Sequence, residues 1–256
     1  MTVLVQLSDF HVGSDEGGDP VSDLRSAVAA VRAMRPGPDA VLVSGDLVEH
    51  GSPDEYAIVR EALGPLAMPV HVLPGNHDDR EALRAAFATA QPAATTPVTG
   101  RAPYRYATRV GALALVACDS TRPGRPDGAL DDDSLEWLAQ ALTVASPGPA
   151  IVAMHHPPIT IGMPVLDAMG IQARDRGALA TLLASFPNVV RVVAGHVHMA
   201  TFGRLGSHQV STCPSTWRHG PALEIGATDL TMRSAPAGLL VHALGDGGLV
   251  THVQPL

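Results

Sequence analysis

Short apolar blocks punctuate this chain. Five runs rich in Val, Ile and Leu, at residues 3–7, 40–43, 70–73, 151–154 and 189–194, are each four to six residues long. They are too short for helices and too uniformly apolar for half-exposed strands, so they predict strands buried on both faces of a sheet. Helical signals lie between the first three. Residues 21–34 are amphipathic and stop at Pro36-Gly37-Pro38, a strong breaker cluster. Ser52-Pro53-Asp54-Glu55 places serine at an N-cap, proline at the first helical position and acids in the first turn. Another helix is predicted over 79–88. Strands alternating with helices imply parallel pairing, with the helices covering the sheet.

The middle of the chain changes character. Residues 104–109 and 112–118 flank Val110-Gly111 as a hairpin, and a helix follows over 132–144 with Asp131 or Asp132 as its cap. A loop at 157–174 precedes a helix at 177–185. The last quarter is strand-rich, at 201–205, 209–212, 223–225, 238–243 and 249–254. The one biased segment is alanine-rich, near 86–96. These elements predict an α/β protein: a four-layer αββα sandwich of two mixed β-sheets flanked by helices. At 256 residues, with no linker-like break, the chain is long enough for a substantial core and is expected to be one domain, 1–256.

Composition narrows the chemistry. A net charge of −8 argues against a general nucleic-acid surface, which would be basic. All 17 basic residues are arginine, so Schiff-base and phosphate-loop lysine chemistry is excluded. Cys118 and Cys213 lack metal-type spacing and read as small buried residues in a reducing compartment. No signal peptide is evident, and no apolar run approaches the ~20 residues that span a bilayer. The expectation is a soluble, cytoplasmic protein with no membrane contact and no stable nucleic-acid complex.

Nearly every buried run is followed at once by a polar motif. These are Asp9-Phe10-His11, Gly45-Asp46, Gly75-Asn76-His77-Asp78, His155-His156-Pro157 and Gly195-His196-Val197-His198. Strands in layered sheets bring their ends to one rim, which would gather six histidines, three carboxylates and an amide. Such a thiolate-free donor set suits manganese, iron or zinc and disfavours a structural zinc site. Asp9 and His11, two apart, share a face of an extended segment, and His196 and His198 repeat that spacing. Gly195 permits close backbone approach. Asp46 can bridge two ions, and Asn76 can ligate through its carbonyl oxygen. His77 would then lie beside the metals, suited to proton donation or to stabilising phosphoryl charge, and Asp78 would orient its ring.

Other features carry blander readings. His50, His71, His208, His219, His242 and His252 fall in no ligand-type pattern. The acids at 131–133 read as a helix cap and first turn, and the glycines of 13–18 lack dinucleotide register. Met154, Met163 and Met169 read as packing. Ser215-Thr216-Trp217-Arg218 fits a pocket wall and an ordinary loop equally.

The series D-x-H, GD, GNHD, H-x-P and GHxH resembles the calcineurin-like metallophosphoesterase superfamily, from Asp9 to His198. Within it the chain is similar to class III cyclic nucleotide phosphodiesterases and glycerophosphodiesterases. Supporting features are His155-His156-Pro157-Pro158, Gly162-Met163-Pro164 with Asp167, and Asp119-Ser120-Thr121 with Gly128. The protein serine/threonine phosphatases, with GD-x-V-D-R-G and GNHE, match less well. The resemblance implies one divalent ion on Asp9, His11, Asp46 and His198. A second would sit on Asp46, Asn76, His155 and His196, with His77 as catalytic histidine. It also implies that His155, not His156, ligates, leaving His156 behind the ligands or facing substrate. The expected reaction is hydrolysis of a small phosphodiester by in-line attack of a hydroxide held between two ions. A phosphomonoesterase or nucleotide pyrophosphatase, and a metal-free scaffold, are the alternatives. The long apolar loop 157–174 is expected to cap the site and to need cover, from the body or from a second copy in a homodimer.

Overall fold

The computed structural model describes residues 1–88 and 102–256. Most of the alanine-rich stretch at 86–96 therefore lies outside the described residues. The first half runs β1 (Thr2–Leu7), α1 (Pro20–Ala33), β2 (Ala40–Ser44), α2 (Pro53–Leu63), β3 (Val70–Leu73) and α3 (Arg80–Phe87). Then follow β4 (Tyr106–Val110), β5 (Leu113–Ala117), α4 (Asp132–Ala145), β6 (Ala150–Ala153), α5 (Pro164–Met169), α6 (Ala173–Leu183) and β7 (Val189–Ala194). The chain closes with β8 (Thr201–Leu205), β9 (His208–Thr212), β10 (His219–Pro221), β11 (Met232–Ser234), β12 (Gly238–Gly245) and β13 (Gly248–Pro255).

Two mixed sheets form. One has strand order β13-β12-β1-β2-β3 and the other β4-β5-β6-β7-β9-β8, while β10 and β11 pair separately. Strands β1, β2 and β3 run parallel, as do β5, β6, β7 and β9. The first sheet packs through Leu4, Val43 and Leu73 into one core with inward residues of the second, such as Leu115, Ile151 and Val193. The second sheet's outer residues, Val116, Val152 and Val192, pack with Leu138 and Leu142 of α4 and Leu179 of α6. The two sheets are thus flanked by helices, as the apolar blocks imply.

Helix starts follow local chemistry. Asp19 caps α1 by accepting from Val21 and Ser22 N–H, with Pro20 at the first position. Ser52 and Glu55 form a reciprocal capping box on α2. Asp131, rather than Asp132, caps α4, accepting from Ser134 N–H at 2.8 Å. Two expectations fail. Residues 157–174 are not a bare loop: they contain α5 and the start of α6, whose first turn begins four residues earlier than expected. Residues 223–225 form no strand, and Leu223 and Ile225 are exposed. Pairing occurs instead at β10 and β11, flanking that segment.

The apolar residues of 157–174 find their cover within the chain. Met163 and Leu166 are buried with Val197, and Ile161, Val165, Met169 and Ala227 pack against them. Backbone bonds from Gly226 to Gly162 and from Val165 to Ala227 fasten the two segments. Among the described residues no helix is long and apolar enough to cross a membrane.

Candidate metal centre

The parallel strands of both sheets end on one rim, as open α/β sheets place their sites. There β1 leads to Asp9 and His11, β2 to Asp46, β3 to Asn76 and His77, β6 to His155, and β7 to His196 and His198. Short bonds pin the two sheets together behind the rim. Gln6 Nε2 donates to Ser44 Oγ at 2.8 Å and to the Ala194 carbonyl at 2.9 Å. His155 Nδ1 donates to the Ser44 carbonyl at 2.8 Å.

Backbone conformation, not strand alternation, aims the candidate ligands. Among the described residues the non-glycine positions with positive φ are Asp9 (54°), His11 (49°), Asp46 (50°), His196 (71°) and His198 (55°). Each costs roughly 1–2 kcal/mol relative to right-handed backbone. Such outliers cluster at functional sites, and here every one is a candidate ligand. The extended geometry expected for Asp9–His11 and His196–His198 is therefore corrected to left-handed turns. Gly195 is required there: a Cβ on it would strike the Ser8 hydroxyl and the Asp9 carboxylate.

The side chains converge in two groups that share Asp46. In the first, His11 Nε2 lies 3.1 Å from His198 Nε2 and 3.7 Å from Asp46 Oδ2, while His198 Nε2 lies 3.7 Å from Asp9 Oδ1. Each imidazole has its other nitrogen engaged as a donor. His11 Nδ1 donates to Glu49 Oε2 at 2.7 Å and His198 Nδ1 to the His219 carbonyl at 2.9 Å. In the neutral rings both Nε2 atoms then present lone pairs to each other, an arrangement that a divalent cation between them would satisfy. In the second group His155 Nε2 lies 3.2 Å from Asp46 Oδ2, Asn76 Oδ1 and His196 Nδ1 alike. The Asp46 carboxylate thus faces imidazoles of both groups. These donors fit two divalent ions, and the outward-facing hydrogen bonds that fix the tautomers of His11, His155 and His198 are what metal-binding histidines require, while the buried His196 Nε2 has no such partner.

Charge follows the same geometry. Burial pushes the Asp9 carboxyl up to about 6, against the pull of His155. Burial also opposes charge on Asp46, but His155 and then His11 hold it well below the usual carboxylate range. His155 is driven up to about 9 because Asp46 and Asp9 outweigh its burial. Burial, reinforced by His156 and His155, holds His196 well below the usual imidazole range.

Two expected roles are corrected. His156 does not face substrate: it is fully buried, its Nε2 donates to the Pro126 carbonyl at 3.1 Å, and its Nδ1 accepts from Ser120 Oγ at 2.9 Å. Burial and the neighbouring His155 press its pKa down to about 3. It stands behind His155 and His196 as packing and support. Asp78 does not orient the His77 ring. Its carboxylate accepts from Tyr56 OH at 2.9 Å, Gly75 N–H at 2.8 Å and Leu47 N–H at 3.2 Å, bracing the loops that carry Asp46 and Asn76. Glu49 takes the orienting role. His77 Nδ1 donates to the Glu49 carbonyl at 3.1 Å and lies 3.3 Å from Glu49 Oε1. Burial opposes charge on His77, yet Glu49 and Asp46 push its pKa up to about 10.

Glu49 is the residue that sequence reading missed. Its one signal is position, three residues beyond Asp46. His219, read as unremarkable, contributes its backbone carbonyl. Of Ser215–Arg218, Trp217 lines the cavity over the centre. Ser215 Oγ instead donates to the Asp9 carbonyl at 2.7 Å, and Arg218 pairs with Asp23. That cavity, about 260 Å³, has His11, Asp46, Asn76, His77, His196 and His198 along its base and Leu166, Met169, Leu230 and Met232 on its walls.

A family model described as calcineurin-like phosphoesterase matches residues 2–200. The chain belongs to the calcineurin-like phosphoesterase family. Members of this family hydrolyse phosphoester bonds at a dinuclear divalent metal site. The chain is 32% identical over 255 residues to a glycerophosphodiester phosphodiesterase, GpdQ, of Enterobacter lignolyticus, covering 95% of this chain and 88% of that one. It is 32% identical over 259 residues to the 3',5'-cyclic adenosine monophosphate phosphodiesterase CpdA of Pseudomonas aeruginosa, covering 98% and 89%. A dimetal phosphatase from Danio rerio shares the fold with a TM-score of 0.73 at 15% identity, over 99% of this chain and 96% of that one.

Proposed function

We propose that this chain is a dinuclear metal-dependent phosphodiesterase acting on small phosphodiesters of the cyclic nucleotide or glycerophosphodiester type. Asp9, His11, Asp46 and His198 would hold one divalent ion, and Asp46, Asn76, His155 and His196 the other. Manganese, iron and zinc all suit these donors. Bound there, two ions supply Lewis-acid charge and make a water nucleophilic near neutral pH. The chain's own residues position and discharge the ester. Asn76 and His77 border the phosphate position, and Glu49 holds the His77 Nδ1 proton. His77 Nε2 is then left to donate a proton or charge to a departing oxygen.

The observation that carries this reading is the Asp46 carboxylate, 3.2 Å from His155 Nε2 and 3.7 Å from His11 Nε2, the position a bridging ligand needs. Diester over monoester follows from charge. Among its described lining residues the cavity over the centre has no arginine, so beyond the ions a dianionic monoester would find the His77 imidazole but no guanidinium fork. The whole chain, 1–256, would act as one metallophosphoesterase domain, with 157–174 as the cap that places Leu166 and Met169 on the cavity wall. Buried, unpaired Cys118 and Cys213 support a cytoplasmic setting. The test is turnover by manganese-reloaded protein of bis(4-nitrophenyl) phosphate against 4-nitrophenyl phosphate. The diester should be the better substrate, and a preference for the monoester would overturn the assignment.

A further inference from the structure

We propose that the preferred substrate is an open-chain phosphodiester whose two alcohol arms lie in separate clefts on either side of Asn76 and His77. The proposal rests on the phosphodiesterase reading and deepens it. Two cavities meet at this pair of residues. The first, over the metal centre, has the apolar wall of Leu166, Met169, Leu230 and Met232, with exposed Asp15 and Glu16 also lining it. The second, about 390 Å³, runs past Asp79 and Arg80 to the loop of Thr121, Arg122, Pro123 and Gly124. Apart from Pro123 its lining is polar or glycine.

The two arginines there do not make an anion trap. Arg80 Nε lies 2.7 Å from Asp119 Oδ2, and Arg122 pairs with Asp127. A neutralised polar cleft suits a hydroxyl-bearing arm, not a second phosphate. The apolar wall of the first cleft suits an arm with hydrocarbon or aromatic surface.

Geometry at phosphorus separates substrate classes. In-line displacement sets the leaving oxygen opposite the entering hydroxide and keeps the other ester oxygen in the equatorial plane, so the two unlinked arms of an open-chain diester leave phosphorus in different directions and can fill both clefts. In a 3',5'-cyclic nucleotide both ester oxygens belong to one ring. Its single organic body fills one cleft and leaves the other unused.

The test uses the full chain reloaded with manganese, with glycerol 4-nitrophenyl phosphate as the open-chain diester and 3',5'-cyclic adenosine monophosphate as the cyclic one. Calorimetric binding of their hydrolysis-resistant phosphonate analogues is measured alongside. Pro123→Trp, on an exposed loop position, obstructs only the second cleft, and Leu230→Trp narrows the first. Remote contacts with substrate contribute to turnover as well as binding. Pro123→Trp should therefore lower kcat/KM and analogue affinity for the open-chain diester about tenfold or more. It should leave the cyclic nucleotide within about twofold, whereas Leu230→Trp should impair both. An equal effect of Pro123→Trp on the two substrates, no effect on either, or a wild-type preference for the cyclic nucleotide would overturn the proposal. Absence of hydrolysis of both diesters would sink the phosphodiesterase reading instead. Analogue binding would then decide the two-cleft claim: loss confined to the open-chain analogue supports it, and any other pattern refutes it.

Discussion

Glu49→Gln isolates the contact that joins a candidate ligand to the candidate catalytic histidine. One oxygen of Glu49 accepts from His11 Nδ1 at 2.7 Å, and the other lies 3.3 Å from His77 Nδ1. These two imidazoles, His11 first, hold the carboxylate far below its ordinary range. The glutamine side chain keeps the shape but offers one acceptor oxygen and an NH2 group that can only donate, so only one imidazole retains its partner. The shorter bond, to the more deeply buried His11, should keep the oxygen, and the loss falls on His77. A hydrogen bond to a charged group contributes about 1.5–3 kcal/mol, which converts to roughly 10- to 150-fold in rate. The Glu49 backbone carbonyl still accepts from His77 at 3.1 Å and partly holds the ring, so the expected fall in kcat is near the lower end, about tenfold. Steady-state kinetics on a diester with an alkoxide leaving group, with metal per chain read by mass spectrometry, checks it. Turnover within about twofold of wild type would refute the orienting role, since losing the partner that orients a metal-site imidazole ordinarily costs more. Depleted metal with normal turnover per bound ion would shift the role to His11.

His77→Ala should retain both ions and lose about 10²–10⁴-fold in rate for alkoxide leaving groups, with a smaller loss for nitrophenolate. Equal losses for both would reduce His77 to charge stabilisation. His155→Ala should lose metal, whereas His156→Ala should keep it and unfold more easily by about 2 kcal/mol, because Ser120 Oγ and the Pro126 carbonyl lose their buried partner. Elemental analysis and urea titration separate the two, and the reverse pattern would exchange their roles. Acid should weaken the fold through His242, whose burial, aided by Arg191, lowers its pKa to about 3. A histidine titrating near 6.5 when unfolded binds its proton more readily in that state, so stability falls as pH drops from about 6.5 toward 3. Metal-stripped wild type should lose about 2 kcal/mol more than His242→Gln between pH 7 and 5, and equal losses would show that His242 is not the group responsible.

The candidate ligands were legible because each lies just past a short buried strand whose end is fixed by topology. Val41–Val43 and Val192–Ala194 pair in parallel with their neighbours, and parallel strands deliver the residues beyond their C-terminal ends to the same rim. The left-handed turns at Asp9 and His11 were not legible, because aspartate and histidine there carry no glycine-like signature and only tertiary contacts impose them. Glu49 and the His219 carbonyl were hidden for a related reason. Each acts through a long-range hydrogen bond, to His11 and to His198, and no local pattern encodes such a pair. Asp78 shows the converse: adjacency to His77 suggested a partnership, but the turn sends its carboxylate to Tyr56 and two backbone N–H groups. The packing of residues 157–174 was half legible. The apolar run at 161–171 was plain, while its partner segment near Ala227 lay beyond a misplaced strand.

The central claim, two ions sharing Asp46 and serving diester hydrolysis, is tested most directly by titrating chelator-stripped protein with manganese while following bis(4-nitrophenyl) phosphate cleavage. Activity should climb to a plateau at two ions per chain. A plateau at one ion, or full activity in the stripped protein, would contradict it.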